Sequence, residues 1–358
     1  MRRDLQMLKD PPAILVATPG RLLDLLSNPE VARNFAVQTV ILDEADRLLD
    51  PGFAPDVKKI LRTMPGVDNR RTLLFTATVT DEVRAVAKNF MRPGYEYIDA
   101  PEHAGHANIM QSALLCGPSD VHVELARTLK SHASLVNRPK VMVFFPSTAL
   151  LDLYYAVFKA HPDPAWSTLY ALYGKMEPSK RVRAESAFRE SGGVLFGSDA
   201  VGRGMDFKGV TLVVQIGFVP ADTYQQRVGR TGRAGAAGQA VILLGRDEAK
   251  GLDKLKAAAP ALEVLQAQPV LEAERKALAL PPAQQKEAEA AFRGLLGANK
   301  SHAKALGLAP QGIVDAVAAR LLGMGMAKVP HISDATLKKM GLTGVSFDTD
   351  AIKARVAA

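Results

Sequence analysis

The sequence predicts an α/β protein built on parallel sheets, with two domains and a helical extension. Two observations carry the fold class. Short runs of Val, Ile and Leu recur at strand length between stretches of helical periodicity: Ala13 to Ala17, Val40 to Leu42, Thr72 to Phe75, Lys140 to Phe145, Val194 to Phe196, Leu212 to Ile216 and Ala240 to Leu244. These runs are continuously apolar rather than alternating, the pattern of strands buried on both faces of a parallel sheet. A third observation bounds the size: 358 residues, 47% of them hydrophobic, allow about two domains plus an appendage at roughly 150 residues per domain.

The first domain is expected over residues 1–98. Residues 93–110 hold two prolines, two glycines and two histidines with little periodicity, which places an interdomain linker at 99–110. The second domain is expected over 111–258. Beyond Arg246 the sequence turns Ala-, Lys- and Glu-rich and reads as helical with no strand-like runs. In this extension, 259–358, Phe292, Leu295, Leu296, Ile313, Val317 and Leu321 recur near helical spacing, which predicts packing on the second domain.

The net charge of +8 permits a polyanionic partner without requiring one. The single cysteine, Cys116, excludes an intrachain disulfide and fits a reducing, intracellular setting. No run approaches the roughly 20 apolar residues of a membrane span, so no membrane partner is expected. The basic start Met1-Arg2-Arg3 lacks the apolar stretch of a secretory signal.

Chemistry concentrates at strand ends. Val40-Ile41-Leu42 runs into Asp43-Glu44-Ala45-Asp46, three acids within four residues. At the tip of a parallel strand, an Asp can hold Mg²⁺ and an adjacent Glu can orient an attacking water in phosphoryl transfer, although a solvated acidic turn gives the same local pattern. Thr18-Pro19-Gly20-Arg21 offers a hydroxyl, backbone N–H groups and a guanidinium to a phosphate backbone. It also reads as an ordinary turn. Phe75-Thr76-Ala77-Thr78 ends another apolar run with two hydroxyls within reach of the acids. In the second domain, Ser198 to Asp206 follows a strand, and Gln226-Arg227-Val228-Gly229-Arg230-Thr231-Gly232-Arg233 sets three arginines at spacings of three. Clustered arginines repel unless an anion compensates. A nucleotide triphosphate does so, and so does simple solvation of a basic helix.

Taken together, these segments resemble the DEAD-box family of RNA helicases. Asp43-Glu44-Ala45-Asp46 matches the naming motif, Thr18 to Arg21 resembles motif Ib, Thr76 to Thr78 motif III, Val143 to Ser147 motif IV, Ser198 to Asp206 motif V and Gln226 to Arg233 motif VI. Six motifs in order, across roughly Ile14 to Asp247, make the resemblance specific. It implies two RecA-like domains that close on ATP–Mg²⁺ and on single-stranded RNA or a short duplex, with little sequence preference. By position, Asp43 would hold the metal and Glu44 activate water. Arg230 and Arg233 would be arginine fingers, and Asp46, Asp206 and Gly204 would belong to the nucleotide site, Asp206 at the ribose. Asp46, Thr76 and Thr78 would couple hydrolysis to RNA, which would run along Thr18, Gly20, Arg21, Ser198 and Arg203.

The sequence departs from the family pattern at Thr76 (usually Ser), Ser198 (usually Thr), Gln226 (commonly His) and Pro178 (commonly Gln before Arg181 in motif IVa). The family's Q motif, Gly-x-x-x-x-Gly-Lys-Thr phosphate loop, motif Ia and double glycine have no counterpart. The chain is therefore expected to be the C-terminal two-thirds of such a helicase, with weakened ATP affinity and an exposed sheet edge. Gly294 to Ser301 approaches the loop formula but has Asn299 at the second glycine and reads as a decoy. The tail, through Ala291 to Leu296 and Lys339 to Gly344, is similar to the extension of mitochondrial RNA-remodelling DEAD-box proteins, which implies a mitochondrial location and an added RNA surface. Two other readings stay open: an RNA-binding fragment that hydrolyses no ATP, and a DNA-directed motor of the same superfamily.

Overall fold

The computed structural model describes residues 2–8, 12–50, 52–76, 78–99, 108–198 and 205–357. They fall into two units, Met1–Ala100 and Pro101–Ala358.

In the first unit, β1 (Thr39–Leu42) and β2 (Arg71–Leu74) pair in parallel, with Val40 opposite Thr72 and Leu42 opposite Leu74. The helices Ala45–Leu48 and Ala54–Thr63 make the crossover between them. Because side chains alternate across a strand, Val40 and Leu42 turn inward, onto Ala45, Leu49, Val57, Leu61, Val83 and Val86, while Ile41 and Leu73 face out. Arg70 is buried, and its guanidinium donates to the carbonyls of Leu61, Pro65 and Phe90, closing two helix ends. The expected strand Ala13 to Ala17 does not form. Among the described residues it has no ladder partner, and Ile14 and Val16 are 82% and 92% exposed. Apolar character alone does not make a strand; pairing does.

The second unit holds one parallel sheet of seven strands in the order β5-β6-β4-β7-β8-β3-β9. These are β3 (Ile109–Cys116), β4 (Lys140–Phe144), β5 (Leu169–Leu172), β6 (Gly193–Gly197), β7 (Leu212–Ile216), β8 (Gly238–Gly245) and β9 (Glu263–Gln266). The four central strands coincide with apolar runs. β3 starts before residue 111, and β9 corrects the reading of everything past Arg246 as helical, since it pairs with β3 as an edge strand beyond residue 258. As an edge it is half solvated, so its sequence carries no buried-strand signature. Alternation again splits the sheet into two cores. Val141, Val143, Val214 and Ile216 pack on one side, and Met142, Phe144, Leu195, Val213 and Ile242 on the other.

The extension belongs to the first of these cores. Phe292, Leu295 and Leu296 on the helix Gln285–Leu306, and Ile313, Val317 and Leu321 on the helix Pro310–Gly323, are all buried in the same cluster as Tyr154 and Phe158. Close approach is part of the design: a Cβ at Gly323 would lie 2.6 Å from the Ser119 carbonyl oxygen. The near-match Gly294 to Ser301 lies inside the helix Gln285–Leu306 with Leu295 and Leu296 buried, so it is no phosphate loop. A buried ion pair joins extension to sheet, Arg320 Nη2 to Glu248 Oε2 at 2.8 Å.

Beside that pair, burial and the neighbouring Glu248 carboxylate push Asp247 up to about 6. A carboxyl whose folded pKa lies above its unfolded value of about 3.9 binds protons preferentially in the folded state. Stability therefore falls as pH rises from about 4 to about 6. Asp247→Asn should flatten that segment of a denaturation-versus-pH profile, and an unchanged slope would remove Asp247 as its source.

Candidate active site

The acids of the first unit sit where β1 gives way to a helix. Glu44 adopts the left-handed conformation (φ 49°, ψ 51°) as it caps the helix Ala45–Leu48. For a non-glycine residue this costs of order 1–3 kcal/mol and recurs at functional sites. The Glu44 N–H donates to Asp43 Oδ1 (3.0 Å), and both side chains are exposed at the strand tip. Asp46 turns the other way, toward the end of β2. Its Oδ2 accepts from the Thr78 hydroxyl (2.8 Å) and the Thr78 N–H (3.2 Å), and its own N–H donates to Thr76 Oγ1 (3.3 Å). The Thr76 hydroxyl donates to the Thr78 carbonyl (2.7 Å), and the Ala45 N–H to the Phe75 carbonyl (2.9 Å). Residues about 30 apart in sequence thus form one cooperative network across adjacent strand ends.

Thr18 stands at the N-cap of the helix Pro19–Leu26, and its hydroxyl makes no capping bond. Pro19 at N1 needs no donor there. Gly20 faces open space, since a Cβ at that position would meet nothing within 4 Å. Arg21 is held by Asp4 and by Asp24 (2.7 Å), and the hydrogen bond that its guanidinium donates to Asp4 is the main cause of its raised pKa.

In the second unit, Ser198 leaves β6 with its N–H on the Leu172 carbonyl (3.3 Å). Arg203 and Gly204 lie outside the described residues. The helix Ala221–Val228 ends at Gly229, which separates the three arginines. Arg227 is buried, its guanidinium 5.2 Å from the Phe144 ring centroid. Arg230 and Arg233 lie on the following turns. Arg230 donates to the carbonyls of Gln226 and Met205 (both 3.1 Å). Arg233 donates to the Gly229 carbonyl (2.9 Å) and pairs with the Asp206 carboxylate. Two residues expected at different parts of a nucleotide therefore hold each other here.

The family model described as DEAD/DEAH box helicase matches residues 1–86, and the helicase conserved C-terminal domain model matches residues 124–235. Together they cover more than half of the chain, one on each unit. The chain belongs to the DEAD-box helicase family. It is 37% identical to a protein of Phaeosphaeria nodorum named ATP-dependent RNA helicase MSS116, mitochondrial, over 93% of this chain and 62% of that one. It is 34% identical to DEAD-box ATP-dependent RNA helicase 26 of Oryza sativa, over 95% of this chain and 63% of the relative. The chain thus spans about three-fifths of the length of these curated relatives. A solved structure of Mss116p bound to ssRNA and AMP-PNP superposes with a TM-score of 0.80 at 28% identity, over 94% of this chain and 70% of that one.

Within this DEAD-box frame, Gly294, read from the sequence as the start of a decoy loop, and two residues that sequence reasoning passed over gain a place. Gly294 lets the extension approach the start of the helix Thr148–Ala160, since a Cβ there would lie 2.9 Å from Oγ of its cap, Ser147. Arg320 pairs with Glu248, and Arg189 donates to the Asp206 carbonyl (2.9 Å). None carries a local signal, because each acts on a partner distant in sequence. Among the described residues no helix is long and apolar enough to cross a membrane.

Proposed function

We propose that these residues are the working parts of an ATP-dependent RNA helicase that hydrolyses ATP to ADP and phosphate and locally opens RNA. The observation that carries this reading is the Asp46–Thr76–Thr78 network, which ties the acidic strand tip to the next strand end, so that a shift at one is felt at the other. Asp43 fits a hard divalent cation: it is an exposed carboxylate oriented by the Glu44 N–H. Bound there, Mg²⁺ would neutralise charge developing on the phosphate oxygens. Glu44 would orient and deprotonate the attacking water, Arg230 and Arg233 would stabilise the transferring phosphoryl group, and Asp206 would meet the ribose. Thr18, Gly20, Arg21, Ser198 and Arg203 would grip RNA through phosphates and 2′-hydroxyls, with little sequence preference. The domain arrangement we propose keeps a first motor domain over 1–98, a linker from 99, a second domain over 111–258 and an extension from 259, with β3 and β9 carrying the second domain's sheet outward to Ile109 and Gln266. The relatives named as mitochondrial support a mitochondrial location.

Glu44→Gln tests the reading. It keeps the shape and removes the base, so RNA-stimulated phosphate release by the full chain should fall about 10²- to 10⁴-fold while RNA affinity stays unchanged. Equal turnover by the variant would remove Glu44 from catalysis.

A further inference from the structure

The segment Met205-Asp206-Phe207-Lys208 carries a density of holds unusual for a loop. The Met205 carbonyl accepts from Arg230 (3.1 Å), and the Asp206 carboxylate pairs with Arg233. The Lys208 carbonyl accepts from Lys140 Nζ (3.2 Å), which also donates to the Arg189 carbonyl (2.8 Å). At the centre is Arg189, in the last turn of the helix Pro178–Ser191. Its Nη1 donates to the Asp206 carbonyl (2.9 Å), its Nη2 to Glu185 Oε1 (2.8 Å), and its guanidinium carbon lies 5.4 Å from the Phe207 ring centroid. Phe207, itself buried, meets Phe188 edge-on at 5.0 Å.

We propose that Arg189 is a positioning residue of the motor. It fixes the main chain at Asp206, and through the Asp206 carboxylate sets the direction of the Arg233 guanidinium. This rests on the ATP-hydrolysing function proposed above. The geometry asks for arginine specifically: one planar fork reaches a carbonyl and a carboxylate while its face covers an aromatic ring, which a point-charge ammonium cannot reproduce. The Arg189 side chain is 50% exposed, so its ion pair with Glu185 adds little to folding; the anchoring of Phe207 falls to the buried aromatic contact with Phe188. Removing the guanidinium thus frees Asp206 without opening the core. The helix also gives Arg189 a reach. Its 14 residues span about 21 Å, with Arg181 near its first turn and Asp206 against its last, so a displacement at the one end is delivered to the arginines at the other.

The test compares RNA-stimulated ATP hydrolysis, thermal unfolding and RNA affinity for the full chain and for Arg189→Lys and Arg189→Met. A displacement of about 1 Å in a catalytic group costs on the order of 10²-fold. Both variants should lose about 10- to 100-fold in kcat, with KM for ATP, RNA affinity and melting temperature close to those of the unchanged chain. In combination with Asp206→Asn the losses should not add, because both act through the same contact. Unchanged kcat in Arg189→Lys, losses that multiply with Asp206→Asn, or a fall in kcat matched by a fall in melting temperature would overturn the positioning role. An unsubstituted chain with no RNA-stimulated hydrolysis would overturn the motor function and the proposal with it, and that result appears before any substitution is made.

Discussion

Replacing Arg320 with alanine is expected to destabilise the second unit by about 3–5 kcal/mol, because it leaves a carboxylate buried without its counter-ion. Arg320 and Glu248 are 4% and 2% exposed. Burial alone, the largest single effect, would lower the Arg320 pKa, but Glu248, Tyr154 and Asp247 together outweigh it and the net direction is up. Glu248 also accepts from the N–H groups of Phe218 (2.9 Å) and Gly245 (3.0 Å), so it cannot swing out to water without abandoning two buried donors. Loss of the arginine therefore forces either a costly lone anion or protonation. Urea denaturation at pH 7 should show the full loss. Glu248→Gln combined with Arg320→Met should recover part of it, since the buried charge is gone, the amide oxygen still accepts from one of the two N–H groups, which sit on different carboxylate oxygens, and the thioether fills the space. Arg355→Ala, which breaks the more exposed pair with Asp315, should cost far less. An Arg320→Ala chain within 1 kcal/mol of the unsubstituted one would show that water reaches Glu248 and that the pair is not a closure between sheet and extension.

The central strands were legible because burial on both faces writes itself into sequence as an unbroken apolar run, as at Val141–Phe144 and Leu212–Ile216. Edges write nothing of the kind, which is why β9 reads as part of a polar stretch. Ala13 to Ala17 shows the converse: the run is apolar, but a strand exists only in a pair. The acids at Asp43 to Asp46 were legible because three charges that end an apolar run must stand at the tip of the strand it forms. The spacing of Arg227, Arg230 and Arg233 misled in one respect. Gly229 ends the helix, so Arg227 remains in the core while the other two emerge. Arg189 and Arg320 were illegible because their meaning lies in partners 17 and 72 residues away, which no local pattern encodes.

Arg230→Ala and Arg233→Ala should each reduce RNA-stimulated ATP hydrolysis by about 10³- to 10⁵-fold, or roughly 4–7 kcal/mol of transition-state stabilisation. The two should differ in what else changes. Arg230 is tied to main-chain carbonyls of Gln226 and Met205, so its loss removes a donor from each and should loosen the turn, visible as faster amide hydrogen exchange around Met205. Arg233 is tied to a side chain, and its loss leaves the Asp206 carboxylate without a cation. That variant should show a weakened ATP interaction in addition to the lost rate, because an unpaired carboxylate beside a triphosphate repels it. Lysine at either position keeps the charge but not the fork, and should recover less than a tenth of the lost rate. If both alanine variants hydrolysed ATP within threefold of the unsubstituted chain, the two arginines would be structural ties of the turn rather than groups that meet the phosphoryl oxygens. The network around Asp206 would then have to be explained by RNA contact alone.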